Sequence, residues 1–309
     1  MASPTLPLVS ILIPAYNHER FVLRCLDSVL EDRYPAKELI MIDDGSVDGT
    51  GAKIARWVAQ HEGRLPMTFL CRENRGVAAT LNELASLARG DFLRLGASDD
   101  YLLPGGTETL VRYLQANPRK SAAIGDSIVV DRYGNQLHGS GMCGLHGADK
   151  RLYASDQGLR RAIIAQWAIG GPVALLRRSL PAQIEGWTEG LRIDDWDFFL
   201  RLVARDALGF VDVPVCAYRL HDTNQSKTRH LATRVANLLE SQRVARSRAS
   251  LFDGPDRLLL KAQAHYIGAK VAYLSHRPLR LGLHMLASAA LRGMSRVRGL
   301  STHAVARQA

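Results

Sequence analysis

The chain has 309 residues, of which 47% are apolar and 23% are charged, the balance of an ordinary globular protein rather than a disordered one. Its formal net charge of +10 is unevenly placed, because residues 228–309 carry 14 Lys/Arg and 3 Asp/Glu, a net of +11, while residues 1–227 carry a net of −1. None of the four cysteines belongs to a CxxC pair, which argues against a zinc knuckle.

Short apolar runs alternate with helical patterns along the first 130 residues. Strands are predicted at 8–13, 38–42, 67–70, 92–95 and 122–130. Helices are predicted at 19–30, 48–61, 76–88 and 105–116. This repeated strand–helix order predicts an α/β fold with a mostly parallel sheet flanked by helices.

The second half of the chain gives weaker signals. Residues 131–190 are rich in glycine and lack a clear period, so we predict a mobile loop region that substrate could order. A helix is predicted from Asp194 and a strand at 210–217. After residue 225 the pattern is helical, with breaks at 254–255 and 277–278. We therefore expect a nucleotide-binding and catalytic domain at 1–226 and a basic helical region at 227–309.

Targeting signals are not evident in the sequence. Residues 1–7 lack the basic and apolar segments of a signal peptide. The best apolar run of the tail, residues 279–291, contains Arg280 and His284 and is shorter than the roughly 18 residues of a membrane span. These patterns predict a cytoplasmic location, with peripheral contact at the inner face of the cell membrane as an open possibility.

Polar side chains follow three of the predicted strands. Asn17 comes after the first strand, the pair at 43–44 after the second, and Asp99 with Asp100 after the fourth. The carboxyl ends of parallel strands meet at one edge of a sheet, where ligands bind in such folds. A single carboxylate there is as easily a helix cap, but three clusters at one edge favour a binding site.

Several sequence blocks occur at these positions in a fixed order. They are VSILIPAYN at 9–17, IDDGSVDGT at 42–50, NRG at 74–76 followed by Asn82, ASDD at 97–100, IDDWD at 193–197 and YRLH at 218–221. Together they resemble the family 2 glycosyltransferases with a GT-A fold, over about residues 8–226. The resemblance implies an inverting enzyme that moves one sugar from a nucleotide-sugar donor, with UDP-sugar favoured, to a hydroxyl of a glycan or lipid-linked acceptor.

The resemblance also implies a nucleotide pocket. Pro14, Ala15 and Tyr16 would form one wall, with Tyr16 stacked on the base. Asp44 would accept a hydrogen bond from a base N–H. The other residues assigned to the nucleotide are Asn17, Asn74, Gly76, Asn82, Ser98 and Asp99, the last facing the ribose. Asn82 could equally be a buried structural amide.

The segment Ser98-Asp99-Asp100 stands where the family has its Asp-x-Asp motif. A divalent cation with oxygen ligands would neutralise the diphosphate leaving group. Because Ser98 replaces the first aspartate, Asp100 would be the main carboxylate on Mn²⁺ or Mg²⁺. His221 would be a second ligand, and an imidazole suits manganese better than magnesium. A lone histidine is also commonly structural, so both interpretations stay open.

Asp195 occupies the position of the family's catalytic base. A carboxylate at a helix start stays ionised near the helix N-terminus and can accept the proton of an acceptor hydroxyl. Asp194 and Asp197 are competing candidates, although Asp197 reads more simply as a residue of the first helical turn. The Gln/Arg-x-x-Arg-Trp block of the family's processive members does not occur in the sequence, which favours addition of a single sugar.

The basic tail lies beyond the resemblance. Its helices could pack on the catalytic domain, form a homodimer or lie on an anionic membrane. Two other activities compete with sugar transfer. A nucleotidyltransferase would show a Gly-rich, basic loop after the first strand, which residues 14–19 do not have. Nucleic-acid binding is permitted by the charge of residues 243–248, but the segment lacks an interleaved aromatic platform, which argues against nucleic acid as a partner.

Overall fold

The computed structural model describes residues 6–222, 224 and 230–306, with side chains described as far as residue 299. The predicted domain boundary between residues 226 and 227, and most of the predicted N-terminal segment 1–7, lie outside the described residues. The chain divides into two compact units. The first contains residues 1–154, 168–190 and 207–221, and the second contains residues 155–167, 191–206 and 222–309.

Within the described residues, the first unit holds a nine-stranded mixed sheet. Its strands are β1 (Val9–Ala15), β2 (Lys37–Asp43), β3 (Met67–Cys71), β4 (Phe92–Leu95), β5 (Tyr101–Leu102), β6 (Ala122–Val130), β7 (Gln136–His138), β8 (Ala174–Arg177) and β9 (Leu208–Arg219). The order is β3-β2-β1-β4-β8-β6-β9-β5, with β7 paired to β6. Strands β1 to β4 run parallel, whereas β8 runs antiparallel to β4 and β6.

Both units contain α-helices. They are α1 (Val22–Glu31), α2 (Thr50–Gln60), α3 (Val77–Leu87), α4 (Gly106–Ala116), α5 (Asp156–Ala165), α6 (Leu180–Gln183), α7 (Asp194–Val203), α8 (Leu231–Arg248), α9 (Gly254–Leu274) and α10 (Pro278–Ala306). Helices α1 to α4 and α6 belong to the first unit, where they flank the sheet. The predicted alternation of strands and helices up to residue 130 is confirmed.

The core of the first unit follows from the apolar patterns. Strand β1 is almost wholly buried because both faces of the sheet are covered, which suits its run of β-branched and leucine side chains. On α1, the buried positions are Val22, Cys25, Leu26 and Val29, which lie on one helical face.

The prediction of a mobile loop over residues 131–190 is wrong. The segment contains β7, α5, β8 and α6, together with a π-helical turn at Gly141–Leu145. Gly141 is buried, and a Cβ there would overlap the Ser127 hydroxyl, so this glycine serves close packing. Apart from the ten-residue α5, the elements of this segment have three to five residues, too few to show a clear period.

The second unit consists of α5, α7, α8, α9 and α10 in the described residues. Helix α9 packs against α8 and α10, and α5 packs against α7 and α9. The Trp196 ring N–H donates to the Ile163 carbonyl at 2.8 Å and so ties α7 to α5. Helices α9 and α10 begin at the predicted breaks, Gly254 and Pro278. None of the described helices combines the length and apolarity required to cross a membrane.

Candidate functional site

The ends of β1 and β2 are joined by backbone and side-chain hydrogen bonds. The Asp44 N–H donates to the Ala15 carbonyl at 2.8 Å. The Asn17 Oδ1 accepts from the Val47 N–H at 2.9 Å, and the Asn17 N–H donates to Ser46 Oγ at 2.9 Å. Asn17 has a φ of +54°, a left-handed conformation that asparagine tolerates better than most residues. Asn17 therefore fixes the loop after β2 against the end of β1.

The buried Asp44 carboxylate organises the loop that precedes α3. Its Oδ1 accepts the Arg75 N–H at 2.9 Å and pairs with the Arg72 guanidinium, and its Oδ2 accepts the Gly76 N–H at 2.9 Å. The Asn74 amide donates to the Asp44 carbonyl at 2.8 Å. A carboxylate has about four acceptor positions. The predicted contact with a nucleotide base is therefore restricted to the remaining acceptor position on Oδ2.

The predicted base wall lies at the end of β1. Ala15 is buried in the strand, whereas Tyr16 is 40% exposed immediately after it, with its ring accessible for stacking. Pro14 is half-buried on the same strand. This placement agrees with a wall of one exposed aromatic ring backed by the sheet.

The Asn82 amide holds the backbone of another segment. Its Oδ1 accepts the Trp187 N–H at 2.8 Å, and its Nδ2 donates to the Trp187 carbonyl at 2.9 Å. A Cβ on Gly186, whose φ is +62°, would overlap Asn82 Oδ1. Of the two interpretations left open for Asn82, these contacts favour the structural amide.

Two histidines face Asp99 after β4. The His221 Nε2 lies 3.1 Å from Asp99 Oδ2, and the His18 Nε2 lies 3.7 Å from the same oxygen. The His18 Nδ1 lies 2.8 Å from Ser98 Oγ, so the serine orients this ring. Sequence reasoning missed His18, although its position next to Asn17 at a strand end is a signal that could have identified it.

These side chains form a donor set that fits a divalent cation. The ligand atoms of His18, Asp99 and His221 all lie within 4.8 Å of one another. Asp100, the predicted carboxylate ligand, is not one of the three residues of this cluster; it is 2% exposed, and its Oδ1 accepts the Arg219 N–H at 2.7 Å. Imidazole with carboxylate suits Mn²⁺-like ions better than Mg²⁺.

The two aspartates of this centre differ in proton affinity. Burial opposes ionisation of Asp99, but the hydrogen bond with His221 and the charges of His18 and His221 outweigh it and lower its pKa. Burial, followed by the charge of Asp99, raises the pKa of Asp100 well above its usual range, against the Arg219 N–H hydrogen bond. Asp99 therefore loses its proton more readily than Asp100.

A second acidic cluster begins α7 in the second unit. Asp197 is 1% exposed and pairs with Arg248, whose Nε lies 2.6 Å from Oδ1, and with Arg201, whose Nη2 lies 3.1 Å from Oδ2. Asp194 is also buried, whereas the Asp195 side chain reaches solvent. Of the three candidates for a base, Asp195 alone is accessible to a dissolved acceptor.

Both carboxyls of the Asp194–Asp195 pair hold protons more tightly than usual. Burial and the charge of Asp195 raise the pKa of Asp194 to about 8. The density of protein atoms around Asp195 raises its pKa to about 6, although water reaches it, and hydrogen bonds from the Trp196 N–H and the Trp167 ring work against that rise. The helix N-terminus therefore does not keep Asp195 at an ordinary carboxyl pKa, yet its ionised form still predominates at pH 7.

Glu240 on α8 holds the chain immediately before α7. Its Oε1 accepts the Arg192 N–H at 2.6 Å and the Ile193 N–H at 2.8 Å. Together with the Arg248–Asp197 ion pair, this contact anchors the first turn of α7 to α8. Sequence reasoning missed Glu240, because a partner 48 positions away leaves no local pattern.

Comparison with known proteins places the chain among glycosyltransferases. Residues 10–167, about half of the chain, match the family described as Glycosyl transferase family 2. An uncharacterized Mycobacterium tuberculosis protein, MT1568, is 32% identical over 254 residues, covering 78% of this chain and 76% of its own length. The putative glycosyltransferase EpsE of Bacillus subtilis is 32% identical over 41% of this chain and 46% of its own length. Escherichia coli chondroitin synthase is 31% identical over 42% of this chain, which spans 19% of that relative.

Solved structures share the fold at low sequence identity. A Pyrobaculum calidifontis mannosyltransferase in complex with GDP-Man and Mn²⁺ is 20% identical, with a TM-score of 0.61 over 98% of this chain and 81% of its own. S. aureus TarS 1–349 in complex with UDP-GlcNAc is 14% identical, with a TM-score of 0.56 over 94% of this chain and 91% of its own. The predicted fold class is confirmed, and the family match decides against the nucleotidyltransferase alternative. The chain belongs to the family 2 glycosyltransferases and is a transferase built on a GT-A-like fold.

Proposed function

We propose that the enzyme transfers one sugar from a nucleoside-diphosphate sugar to an acceptor hydroxyl, with inversion and with a divalent cation. The observation that carries the proposal is the convergence of His18, Asp99 and His221 at the carboxyl ends of parallel strands. A cation held there would stabilise the negative charge that develops on the diphosphate leaving group.

The nucleotide would be held by the ends of β1 and β2. Tyr16 offers an exposed ring for stacking, and Asp44 offers the remaining acceptor position of Oδ2 to a base N–H. The loop at 72–76, which Asp44 orders, brings Asn74 and Gly76 into the same region. Uridine and guanosine diphosphates both stay candidates, because the structural neighbours were solved with UDP-GlcNAc and with GDP-Man.

The cation would be held by Asp100 and His221, as predicted, with Asp99 and His18 completing the donor set. Support comes from the short distance between His221 Nε2 and Asp99 Oδ2 and from Ser98, which fixes the His18 ring. We favour Mn²⁺ over Mg²⁺, because two imidazoles in one set suit manganese better.

The general base would be Asp195. It would accept the proton of the acceptor hydroxyl while that oxygen attacks the anomeric carbon, and the bond to the diphosphate would break on the opposite side. Its exposure and its pKa of about 6 suit this role, because the carboxylate is ionised at pH 7 and is more basic than an ordinary aspartate. Asp197, which is engaged by two arginines, and the buried Asp194 suit it less.

The acceptor is proposed only as a class. A glycan or a lipid-linked oligosaccharide hydroxyl fits a family that includes relatives named chondroitin synthase and hyaluronan synthase. These relatives also support a place in polysaccharide biosynthesis.

Calorimetric titration of UDP, GDP and dTDP, each with Mn²⁺ and with a chelator, tests the proposal. We expect one nucleotide to bind tightly, and only in the presence of the metal. That nucleotide would identify the class of donor, whose sugars can then be screened. Equal binding with Mn²⁺ and with chelator would remove the metal from the proposal. Absence of binding by all three nucleotides would contradict the donor site itself.

A further inference from the structure

Helix α10 has a polar packed side. Within the second unit, the Ser288 hydroxyl donates to the Ala262 carbonyl at 2.9 Å, and the Ser295 hydroxyl donates to the Pro255 carbonyl at 2.7 Å. Both serines are buried, 3% and 2% exposed. The side of α10 that faces α9 therefore carries buried hydroxyls that bond to the backbone of the second unit.

The opposite side of α10 is apolar and exposed. Its most exposed large side chains are Leu279 at 84% exposure, Leu286 at 72%, Leu283 at 68% and Val297 at 65%. Their spacing along the chain of four, three and eleven residues places them on one face of a helix. Gly282 and Gly293 on the same face have open space around them. This face, which we call the α10 stripe, is about 27 Å long at 1.5 Å per residue. The arrangement reverses the usual order for a surface helix, whose outer side is polar.

Arginines border the α10 stripe on both edges. At about 100° per residue, Arg280 and Arg298 lie along one edge and Arg296 along the other, and all three are exposed. The surrounding sequence reinforces the charge, because residues 257–309 contain nine Lys/Arg and no Asp/Glu. An apolar strip edged by cations is typical of a helix that lies in the plane of a lipid interface.

We propose that the α10 stripe docks on an anionic lipid surface, with its leucines among the acyl chains and its arginines at the headgroups. Charge complementarity favours this occupant over a second copy of the chain. Two copies meeting through the stripe would bring two arginine-lined edges together, which costs binding energy, whereas acidic headgroups neutralise them. Docking through α10 involves no group assigned to the donor, the cation or the proton transfer.

Vesicle flotation of the full chain, without donor or metal, tests the docking surface. We expect the protein to float with vesicles of equimolar phosphatidylglycerol and phosphatidylcholine. With vesicles of phosphatidylcholine alone, it should stay in the bottom fraction. The double variant Leu283→Glu/Leu286→Glu should lose at least about tenfold in partitioning, because the acyl contacts are removed and negative charge is added. Arg296→Glu/Arg298→Glu should weaken binding to the anionic vesicles while the leucines remain.

A matched control makes the same chemical change elsewhere. Tyr133→Glu/Leu137→Glu replaces two exposed apolar side chains of the first unit, 78% and 50% exposed, and should float like the unaltered chain. Circular dichroism establishes that all variants are folded. The docking proposal is wrong if the unaltered protein does not bind anionic vesicles, or if the leucine variant binds them equally well. It is also wrong if light scattering shows that the leucine substitutions dissociate a dimer.

Because flotation omits the nucleotide, its result is separate from the proposed transfer. If the protein binds UDP or GDP with Mn²⁺ but does not bind anionic vesicles, the proposed function stands and the docking proposal is wrong.

Discussion

The two units each contain a pair of adjacent aspartates, and the two pairs behave differently. In the first unit, imidazole partners lower the pKa of Asp99, while burial beside that charge raises the pKa of Asp100. In the second unit, both pKa values are raised: to about 8 for Asp194, by burial and the charge of Asp195, and to about 6 for the accessible Asp195, by partial desolvation among the surrounding protein atoms. The same dipeptide therefore supplies four carboxyls of different proton affinity.

The difference fits the roles proposed for Asp99, at the cation, and Asp195, as the base. A carboxylate that holds a cation must be ionised across the working range, which positively charged or hydrogen-bonding neighbours favour. A general base works best when its pKa lies nearer the operating pH, which a crowded, partly desolvated carboxyl provides. The groups that surround each carboxyl, rather than its residue type, would therefore distinguish the proposed cation ligand from the proposed base.

The largest expected effect comes from removing the charge of Asp195. Asp195→Asn should lower the rate of transfer by about 10²–10⁴-fold while nucleotide affinity changes only a few-fold, because the amide cannot accept the proton. Asp194→Asn is the matched control, since an amide resembles the protonated form that a pKa of about 8 favours at pH 7. Its rate should stay within a few-fold of the unaltered enzyme. A near-normal rate for Asp195→Asn, measured with the donor identified by titration, would contradict the assignment of the base.

The next largest effect should come from substituting Asp99 or Asp100 in the first unit. Asp99→Asn and Asp100→Asn should each weaken Mn²⁺-dependent nucleotide binding by about 10–100-fold, because each replaces a carboxylate that we propose binds the cation. Calorimetry with Mn²⁺ and with chelator measures the metal-dependent part. Asp212→Asn, at an exposed carboxylate paired with Lys150, serves as the control and should leave binding unchanged. Wild-type affinity in both site variants would show that the cation does not bind at this pair.

The pH dependence sharpens the comparison further. A base acts only when deprotonated, so a pKa raised to about 6 moves the acid limb of kcat/KM upward from the ordinary aspartate range near pH 4. Below pH 6 the rate should fall about tenfold per unit, and above it the rate should level off. Asp194→Asn should keep this limb near pH 6. A limb near pH 4 would mean that the surrounding protein does not raise the pKa of Asp195.

The smallest effect should follow from Glu240. Glu240→Ala removes the acceptor of the Arg192 and Ile193 N–H groups and should lower kcat by up to about tenfold and the free energy of unfolding by about 1–3 kcal/mol. Glu240→Gln should restore both, because the single oxygen Oε1 accepts both bonds and an amide carbonyl can replace it. Nucleotide affinity should not change in either variant. An equal loss in the Gln and Ala variants would contradict a positioning role through these hydrogen bonds.

How well the sequence predicted each feature depends on how far apart along the chain the residues that determine it lie. The parallel strands β1 to β4 were predicted because each apolar run is bounded by its own turn residues. Strand β8, of four residues, and helix α5, of ten, were missed because they lie in a stretch whose many glycines indicated loops. The tie between Asn82 and the Trp187 backbone spans 105 residues and has no local signature. The site residues assigned by family motif stay predictions, although the clustering around Asp99 agrees with several of them.

The tie between α7 and α8 also bears on how the chain acquires its structure during synthesis. Arg248 is synthesised 51 residues after its partner Asp197, an interval of about 3–10 s at a translation rate of roughly 5–20 residues per second. Until residue 240 is synthesised, the helix that bears Asp195 lacks the acceptor at Glu240, and until residue 248 it lacks the ion pair with Arg248. The start of this helix is therefore assembled late, after the strands of the first unit have left the ribosome.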